Sequence, residues 1–109
     1  KLIFTESPGS NTFEMQDIPA ITAVAREAGI VTMLENTWAT PVYFKPLDHG
    51  VDISIQAATK YPGGHSDVLL GTVSANDACW ERLWNAYLTL GTCALLPFAS
   101  AAALRISLR

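Results

Sequence analysis

The segment that most constrains the fold is residues 30–34, a short and nearly continuous apolar run. Such runs are typical of strands that are covered on both faces, as in the parallel sheets of α/β proteins. A helix is predicted just before it, over residues 18–28, with Asp17 as its N-cap and Gly29 as the residue that ends it. The run delivers Glu35 to its carboxyl end. This part of the chain therefore predicts a helix followed by a buried strand.

Three further strands are predicted around this pair. Residues 2–5 are strand-like, residues 51–55 alternate apolar and polar side chains, and residues 68–73 form another apolar run. Prolines and a glycine predict irregular structure between residues 41 and 50.

A second helix is predicted from Asn76 or Asp77 to Gly91. Five residues form an apolar stripe that we expect to be core: Trp80, Leu83, Trp84, Tyr87 and Leu88. The order strand, helix, three strands and helix predicts an α/β fold in which a mainly parallel sheet is covered by helices.

Composition excludes several classes of function. The chain has 109 residues, of which 50% are hydrophobic, and this suits one globular unit with a core. Its net charge of −3 and lack of a basic cluster argue against binding to nucleic acid or to a membrane. Cys79 and Cys93 show no metal-site or disulfide spacing with each other or with His49 and His65, so no metal is expected. We interpret both cysteines as reduced thiols of a cytoplasmic protein.

Lys60 lies just beyond the predicted strand 51–55, and Glu35 directly follows strand 30–34. Ligands of open α/β sheets bind beyond the carboxyl ends of the strands, so a shared pocket is expected. Each residue also has an ordinary explanation, as a surface lysine and as a solvated loop carboxylate. The glycine-containing loop over residues 62–67 can present backbone amides to an anion, although its spacing is not that of a nucleotide-binding loop.

The joint pattern of several strings favours the functional explanation. They are ESPGS (6–10), DIPA (17–20), ENTWATP (35–41), PLDHGVD (46–52) and ATKY (58–61) followed by GHSD (64–67). In order and spacing they resemble the Cys/Met metabolism family of pyridoxal-phosphate enzymes, the trans-sulfuration enzymes, and most of all its cystathionine β-lyase branch. The resemblance covers about residues 2–90. It implies that residues 1–109 are a fragment of the large cofactor-binding domain of fold-type I.

This resemblance implies roles for four residues. Lys60 matches the lysine that forms a Schiff base with pyridoxal phosphate and moves protons at the substrate carbons. Thr59 matches a hydroxyl that bonds the cofactor phosphate, and Ser10 is expected near the cofactor and the substrate carboxylate. Glu35 stands where the family has an Asp that keeps the pyridine nitrogen protonated, which strengthens the ring as an electron sink.

The implied reaction is the α,β-elimination of L-cystathionine to homocysteine, pyruvate and ammonia, a step of methionine biosynthesis. The alternatives are a cystathionine γ-synthase or γ-lyase of the same family, or a truncated, non-catalytic scaffold. Family members are longer, and part of each phosphate site comes from a neighbouring subunit. We therefore expect a dimer-based tetramer for the full-length protein and no activity for this fragment alone.

Residues 91–109 depart from the family pattern, and we interpret the loss of register as a frame-shift or truncation. The tail is predicted to form a helix with Arg105 and Arg109 on its polar side. The apolar positions of that helix are Ala101, Ala102, Ala103, Leu104, Ile106 and Leu108.

The extra methylene of Glu35 generates a first prediction. A displacement on the order of 1 Å at a reacting centre can cost ~10²-fold in rate, so Glu35→Asp in a full-length protein should raise turnover. Steady-state assay of both proteins at equal cofactor content checks this. An unchanged or lower rate with normal cofactor content contradicts it.

Overall fold

Helices lie on both faces of a sheet that, within the part of the chain that is described, has five strands. The computed structural model describes residues 1–91 and the backbone of residues 100–105. Its elements are β1 (Leu2–Glu6), α1 (Ile18–Glu27), β2 (Val31–Glu35), α2 (Thr40–Tyr43), a 3₁₀ turn (Pro46–His49), β3 (Ile53–Gln56), β4 (Leu70–Ala75), α3 (Asp77–Leu90) and β5 (Ser100–Arg105).

The strands follow chain order across the sheet, from β1 to β5. β1, β2 and β3 are parallel to one another, β4 is antiparallel to β3, and β5 is parallel to β4. The predicted α/β class with a mainly parallel sheet is confirmed. Because β1, β2 and β3 run in one direction, their carboxyl ends meet at one edge of the sheet. There Glu6 and Glu35 are partners in the β1–β2 register.

The two long helices cover opposite faces of β2. On one face, Ile18 of α1 packs with Leu34 and Val51 in the core cluster. On the other face, Leu83 of α3 lines a cavity together with Met33. Successive side chains of a strand point to opposite faces, so α1 and α3 sandwich this strand between them. Coverage of β2 is nevertheless unequal, since Leu34 is buried and Met33 only half-buried, whereas burial on both faces was expected.

The predicted helix boundaries are confirmed at the caps. The Asp17 side chain accepts a 3.0 Å hydrogen bond from a first-turn N–H of α1, and Asn76 does the same for α3 at 3.0 Å. Gly29 and Gly91 follow the two helices with φ of 63° and 62°. In this left-handed region glycine lacks the steric penalty of other residues, which is why both helices end there.

Strand boundaries differ from the prediction by about two residues. β3 spans Ile53–Gln56, and β4 spans Leu70–Ala75 instead of 68–73. The antiparallel register accounts for the later end of β4, because Ala75 lies opposite Ile53 where β3 begins. Leu70 and Gly71 belong to the strand through their pairing with β5. The stretch predicted as irregular also contains α2 and the 3₁₀ turn.

The apolar stripe of α3 is not the core that was predicted. Trp84 is 40% exposed and Leu88 is 58% exposed. The rings stack on one another along the helix instead, with centroids 5.7 Å apart for Trp80 and Trp84 and 5.1 Å for Trp84 and Tyr87.

The helix predicted for the tail is wrong over residues 100–105, which form β5. This strand pairs in register with β4, from Leu70 opposite Ser100 to Ala75 opposite Arg105. The open edge of β4 offers a row of unpaired backbone groups, and pairing with it overrides the helix propensity of alanine. Cys93 and residues 106–109 lie outside the described residues.

Asp52 ties β2 to the start of α3 at the amino edge of β2 and β3. Its carboxylate accepts from the N–H and hydroxyl of Thr32, at 2.8 and 3.0 Å, and from the side-chain amide of Asn76 at 2.7 Å. Nearby, Cys79 is a buried free thiol. Burial raises the pKa of Cys79, Asp52 adds to the rise and Arg82 opposes it, so the thiol stays protonated at neutral pH. A protonated thiol is a poor nucleophile, so Cys79 is not a candidate for covalent chemistry.

Removal of the Asp52 carboxylate leaves several half-buried donors without an acceptor. Asp52→Ala should therefore lower the free energy of unfolding by about 2–3 kcal/mol. Urea denaturation measures the loss. The matched control is Asp48→Ala, since Asp48 is exposed and its loss should change stability by no more than about 0.5 kcal/mol. Equal stability of the two variants contradicts the tie assigned to Asp52.

Candidate functional site

A pocket of about 240 Å³ opens at the edge where β1 and β2 end and the loop after β3 begins. It brings together three of the four site residues predicted from the sequence, namely Lys60, Glu35 and Ser10. Thr59 does not line it. The complete lining is Glu6, Pro8, Gly9, Ser10, Phe13, Glu35, Thr37, Trp38, Lys60 and Tyr61. The shared pocket expected for Lys60 and Glu35 is therefore present.

A compact turn after β3 presents Lys60. The Lys60 N–H donates to the Ala57 carbonyl at 3.0 Å, and the Lys60 carbonyl accepts from the Gly64 N–H at 2.8 Å. The Gly63 N–H donates to the Ala58 carbonyl, also at 2.8 Å. Both glycine amides are thus used within the turn, so they are not available to an anion as the sequence allowed. The Lys60 side chain is exposed and can reach the pocket.

Thr59 fastens this turn to the start of β4. Its hydroxyl accepts from the Leu70 N–H at 2.7 Å and donates to the Leu70 carbonyl at 3.2 Å. The Thr59 N–H donates to the same carbonyl at 2.8 Å. Because the hydroxyl proton is engaged here, Thr59 acts in this structure as a support for the lysine turn. Its role toward a phosphate stays a prediction.

Glu35 is the last residue of β2, and its half-buried side chain folds back on the chain that follows. Its Oε1 accepts from the N–H of Thr37 at 3.1 Å and from the Thr37 hydroxyl. The Thr37 hydroxyl in turn accepts from the N–H of Ala57 at 2.7 Å. The longer side chain thus folds back toward its own backbone.

Glu6 is a second carboxylate in the pocket and was not singled out from the sequence. It is the register partner of Glu35, and neighbouring parallel strands lie about 4.8 Å apart. The Ser10 hydroxyl donates to Glu6 Oε1 at 2.5 Å. The sequence could have indicated Glu6 as a site residue, because Glu6 ends strand β1 just as Glu35 ends strand β2. Glu6 and Glu35 therefore form an acidic pair in the pocket, and Lys60 is the cationic side chain that lines it.

Aromatic rings complete the walls. Phe13, Trp38 and Tyr61 all line the pocket, and each exposes more than 60% of its surface. Phe13 has a φ of 56°, and hydrogen bonds of 3.0 Å between Gly9 and residues 13 and 14 hold the loop around it. Flat, exposed rings beside a polar centre can stack on a planar ligand. The pocket combines an amine, two carboxylates, a hydroxyl and stacking surfaces.

Other types of site find less support among residues 1–91. No group of three or more potential metal ligands occurs in the described part of the chain. Within that same part, no helix has the length and apolar character needed to cross a membrane. His65 is exposed, its Nδ1 lies 3.1 Å from the Gly63 carbonyl oxygen, and it does not line the pocket.

Comparison with known proteins finds relatives within one family. A family model described as "Cys/Met metabolism PLP-dependent enzyme" matches residues 1–105. A Rhizobium johnstonii protein named "Putative cystathionine beta-lyase" is 73% identical over 93 residues, which are 85% of this chain and 24% of that protein. The Escherichia coli protein "Cystathionine beta-lyase MetC" is 55% identical over 91 residues, 81% of this chain and 23% of that protein.

A solved structure extends the likeness to the fold. The cystathionine γ-lyase of Lactobacillus plantarum, in complex with L-serine, superimposes with a TM-score of 0.76 and 35% sequence identity. The match covers 84% of this chain and 24% of that one. The chain thus spans about a quarter of the length of the proteins it matches.

The packing around Gly63 generates a prediction for the lysine turn. A Cβ added at Gly63 would lie 2.9 Å from Val68 Cγ2 and 3.1 Å from two carbonyl oxygens of the turn. Gly63→Ala should therefore displace the turn and cost about 1–3 kcal/mol of stability, measured by urea denaturation. In the control Gly71→Ala, the added Cβ would lie 4.0 Å from its nearest neighbour. Identical stability of the two variants would show that the turn is not tightly packed.

Proposed function

The chain belongs to the Cys/Met metabolism PLP-dependent enzyme family, and from this premise we propose that it is part of a pyridoxal-phosphate-dependent carbon–sulfur lyase. Its proposed reaction is the α,β-elimination of L-cystathionine to homocysteine, pyruvate and ammonia. The observation that carries the proposal is that Lys60 and Glu35, from two separate strand ends, line one pocket. The names of the relatives at 73% and 55% identity support the β-lyase reaction.

The chemistry of the pocket fits the ring and the aldehyde of the cofactor. An amine suits the aldehyde, a carboxylate suits the pyridine nitrogen, and the exposed rings of Trp38 and Tyr61 suit the face of a heteroaromatic ring. The pocket is smaller than the ~300–1,000 Å³ typical of small-molecule sites. Lys60 is its only cation among the described residues, so the cofactor phosphate requires groups from elsewhere in the protein.

When bound, pyridoxal phosphate supplies the electron sink that stabilises a carbanion at the substrate Cα. We assign the proton transfers to Lys60. Its amine must lose a proton to act as a nucleophile, and it then takes and returns protons at the substrate carbons. Its position in the turn beyond β3, on a different segment from the acidic pair, suits a group that must move.

Glu35 is assigned to the ring nitrogen. A carboxylate at hydrogen-bond distance favours the protonated form of a ring nitrogen, because the two opposite charges attract. Oε1 already accepts two hydrogen bonds from Thr37. Among the described residues Oε2 accepts none, so it is the oxygen available to the ligand.

Ser10 is assigned to the substrate side of the pocket, with a restriction that follows from Glu6. Because the Ser10 hydroxyl donates its proton to Glu6, it faces a ligand as an acceptor for as long as that bond holds. We therefore propose that the Ser10 hydroxyl accepts a hydrogen bond from an ammonium group of the substrate. A direct contact with a substrate carboxylate requires the Ser10–Glu6 hydrogen bond to break first.

The runner-up activity is a cystathionine γ-lyase or γ-synthase, which the likeness to the Lactobacillus plantarum γ-lyase favours. Products formed from cystathionine by the full-length protein discriminate: pyruvate with homocysteine indicates the β-lyase, and cysteine with a four-carbon oxo acid indicates the γ-lyase. The non-catalytic scaffold is the second alternative. A cytoplasmic, dimer-based tetramer in methionine biosynthesis is proposed on the family resemblance.

The proposal predicts covalent trapping at a single lysine. The purified chain is mixed with pyridoxal phosphate and reduced with borohydride, and the adduct is mapped by mass spectrometry. The adduct should form at Lys60, with Lys1 and Lys45 as internal controls, because neither control lysine lines this pocket. Lys60→Arg should abolish the adduct at this site.

Equal labelling of all three lysines would count against a formed pocket and against the enzyme assignment. An adduct confined to Lys60 without turnover supports the proposal, since the chain spans only a quarter of its relatives.

A further inference from the structure

We propose that Thr37 is a positioning residue that fixes the Glu35 carboxylate relative to the Lys60 amine. The inference rests on the proposed function, because it concerns how the acid and the amine are held around one ligand. Thr37 lies two residues beyond Glu35 and was not among the site residues predicted from the sequence. It is 3% exposed, so its hydroxyl is shielded from competing water.

The Thr37 hydroxyl bridges the two loops of the pocket. It donates to Glu35 Oε1 and accepts from the N–H of Ala57 at 2.7 Å. Ala57 begins the turn after β3, and its carbonyl accepts from the Lys60 N–H at 3.0 Å. The acid is therefore connected to the backbone of the lysine through one hydroxyl and the backbone of one residue, Ala57.

The backbone beside Thr37 anchors this bridge to the sheet. The Asn36 N–H donates to the Ile55 carbonyl at 2.8 Å, which extends the β2–β3 ladder one step past the end of β2. The segment carrying Thr37 is thereby held in register with β3. The Thr37 hydroxyl therefore connects the two loops at a fixed separation.

A glutamate needs this bridge more than an aspartate does. Its additional methylene adds a rotatable bond, and the carboxylate can sweep a larger volume unless it is restrained. The Thr37 N–H and hydroxyl both bind the same oxygen, Oε1. One carboxylate oxygen is thus fixed and the other is directed by that fixation, which restores a defined position to an acid that is one carbon longer.

The experiment follows the protonation of the cofactor ring rather than turnover. The chain is labelled with pyridoxal phosphate carrying nitrogen-15 in the ring, and the adduct is fixed by borohydride. The ring nitrogen is then titrated by NMR. In the native chain the pH midpoint should lie above that of the same adduct unfolded in urea, because Glu35 stabilises the protonated ring.

Thr37→Val keeps the shape of the side chain and removes both hydrogen bonds of the hydroxyl. It should lower the midpoint by about one pH unit, since an opposite charge in contact shifts a pKa by about 1–3 units. Thr37→Ser keeps the hydroxyl and should retain the native midpoint. Thr22→Val is the matched control, because Thr22 is also buried and its hydroxyl also makes two hydrogen bonds, at 3.0 and 2.8 Å, outside the pocket.

A double-mutant cycle separates positioning from general structure. In a Glu35→Gln background, Thr37→Val should leave the midpoint unchanged, because the group it positions is gone. A shift of equal size in both backgrounds overturns the inference. If Thr37→Val does not fold, Thr37→Ala serves in its place, because a smaller side chain leaves room for water at the Ala57 N–H.

The outcomes also separate this inference from the proposed function. If the native chain forms no adduct at Lys60, the proposed function fails. If the adduct forms and Thr37→Val titrates as the native chain does, the proposed function stands and the role of Thr37 is refuted.

Discussion

The parallel, in-register pairing of β1, β2 and β3 is the constraint on which the site depends. It aligns Glu6 with Glu35 at one edge of the sheet and brings the Lys60 turn to the same edge. A slip of one residue in β2 would turn Glu35 to the opposite face, because side chains alternate along a strand. The position of the acid therefore follows from backbone hydrogen bonding before any side-chain contact is considered.

Threonine hydroxyls hold the connections around this sheet. Thr22 joins α1 to the 3₁₀ turn, Thr32 meets Asp52, and Thr59 fastens the lysine turn to β4. Each bonds a segment distant in sequence, and the described core cluster of Ile18, Leu34 and Val51 is small. Since net hydrogen bonds contribute about 1 kcal/mol each, polar ties of this kind carry much of the loop geometry. Thr37 belongs to the same group and is the member that reaches the pocket.

Much of the fold follows from local signals in the sequence. The caps Asp17 and Asn76 and the terminating glycines act within one helical turn, so they could be identified without the structure. The meeting of Glu35 and Lys60 could also be predicted, because the ends of parallel strands converge by geometry.

Features that depend on distant partners could not be predicted. β5 forms where a helix was expected because it pairs with the open edge of β4, and sequence period does not encode that partner. Trp84 belongs to an apolar stripe with helical spacing, but this spacing does not show which residues pack against the stripe. In the structure Trp84 is 40% exposed. The bridge from Thr37 to Ala57 joins residues twenty positions apart and became visible only in three dimensions.

The most direct test of the shared pocket is a crystal structure of the full-length protein with pyridoxal phosphate. We predict continuous density from Lys60 Nζ to the cofactor and a Glu35 oxygen about 2.7–3.2 Å from the ring nitrogen. A ring bound elsewhere, or bound to Lys60 with Glu35 turned away from its nitrogen, would contradict the shared pocket.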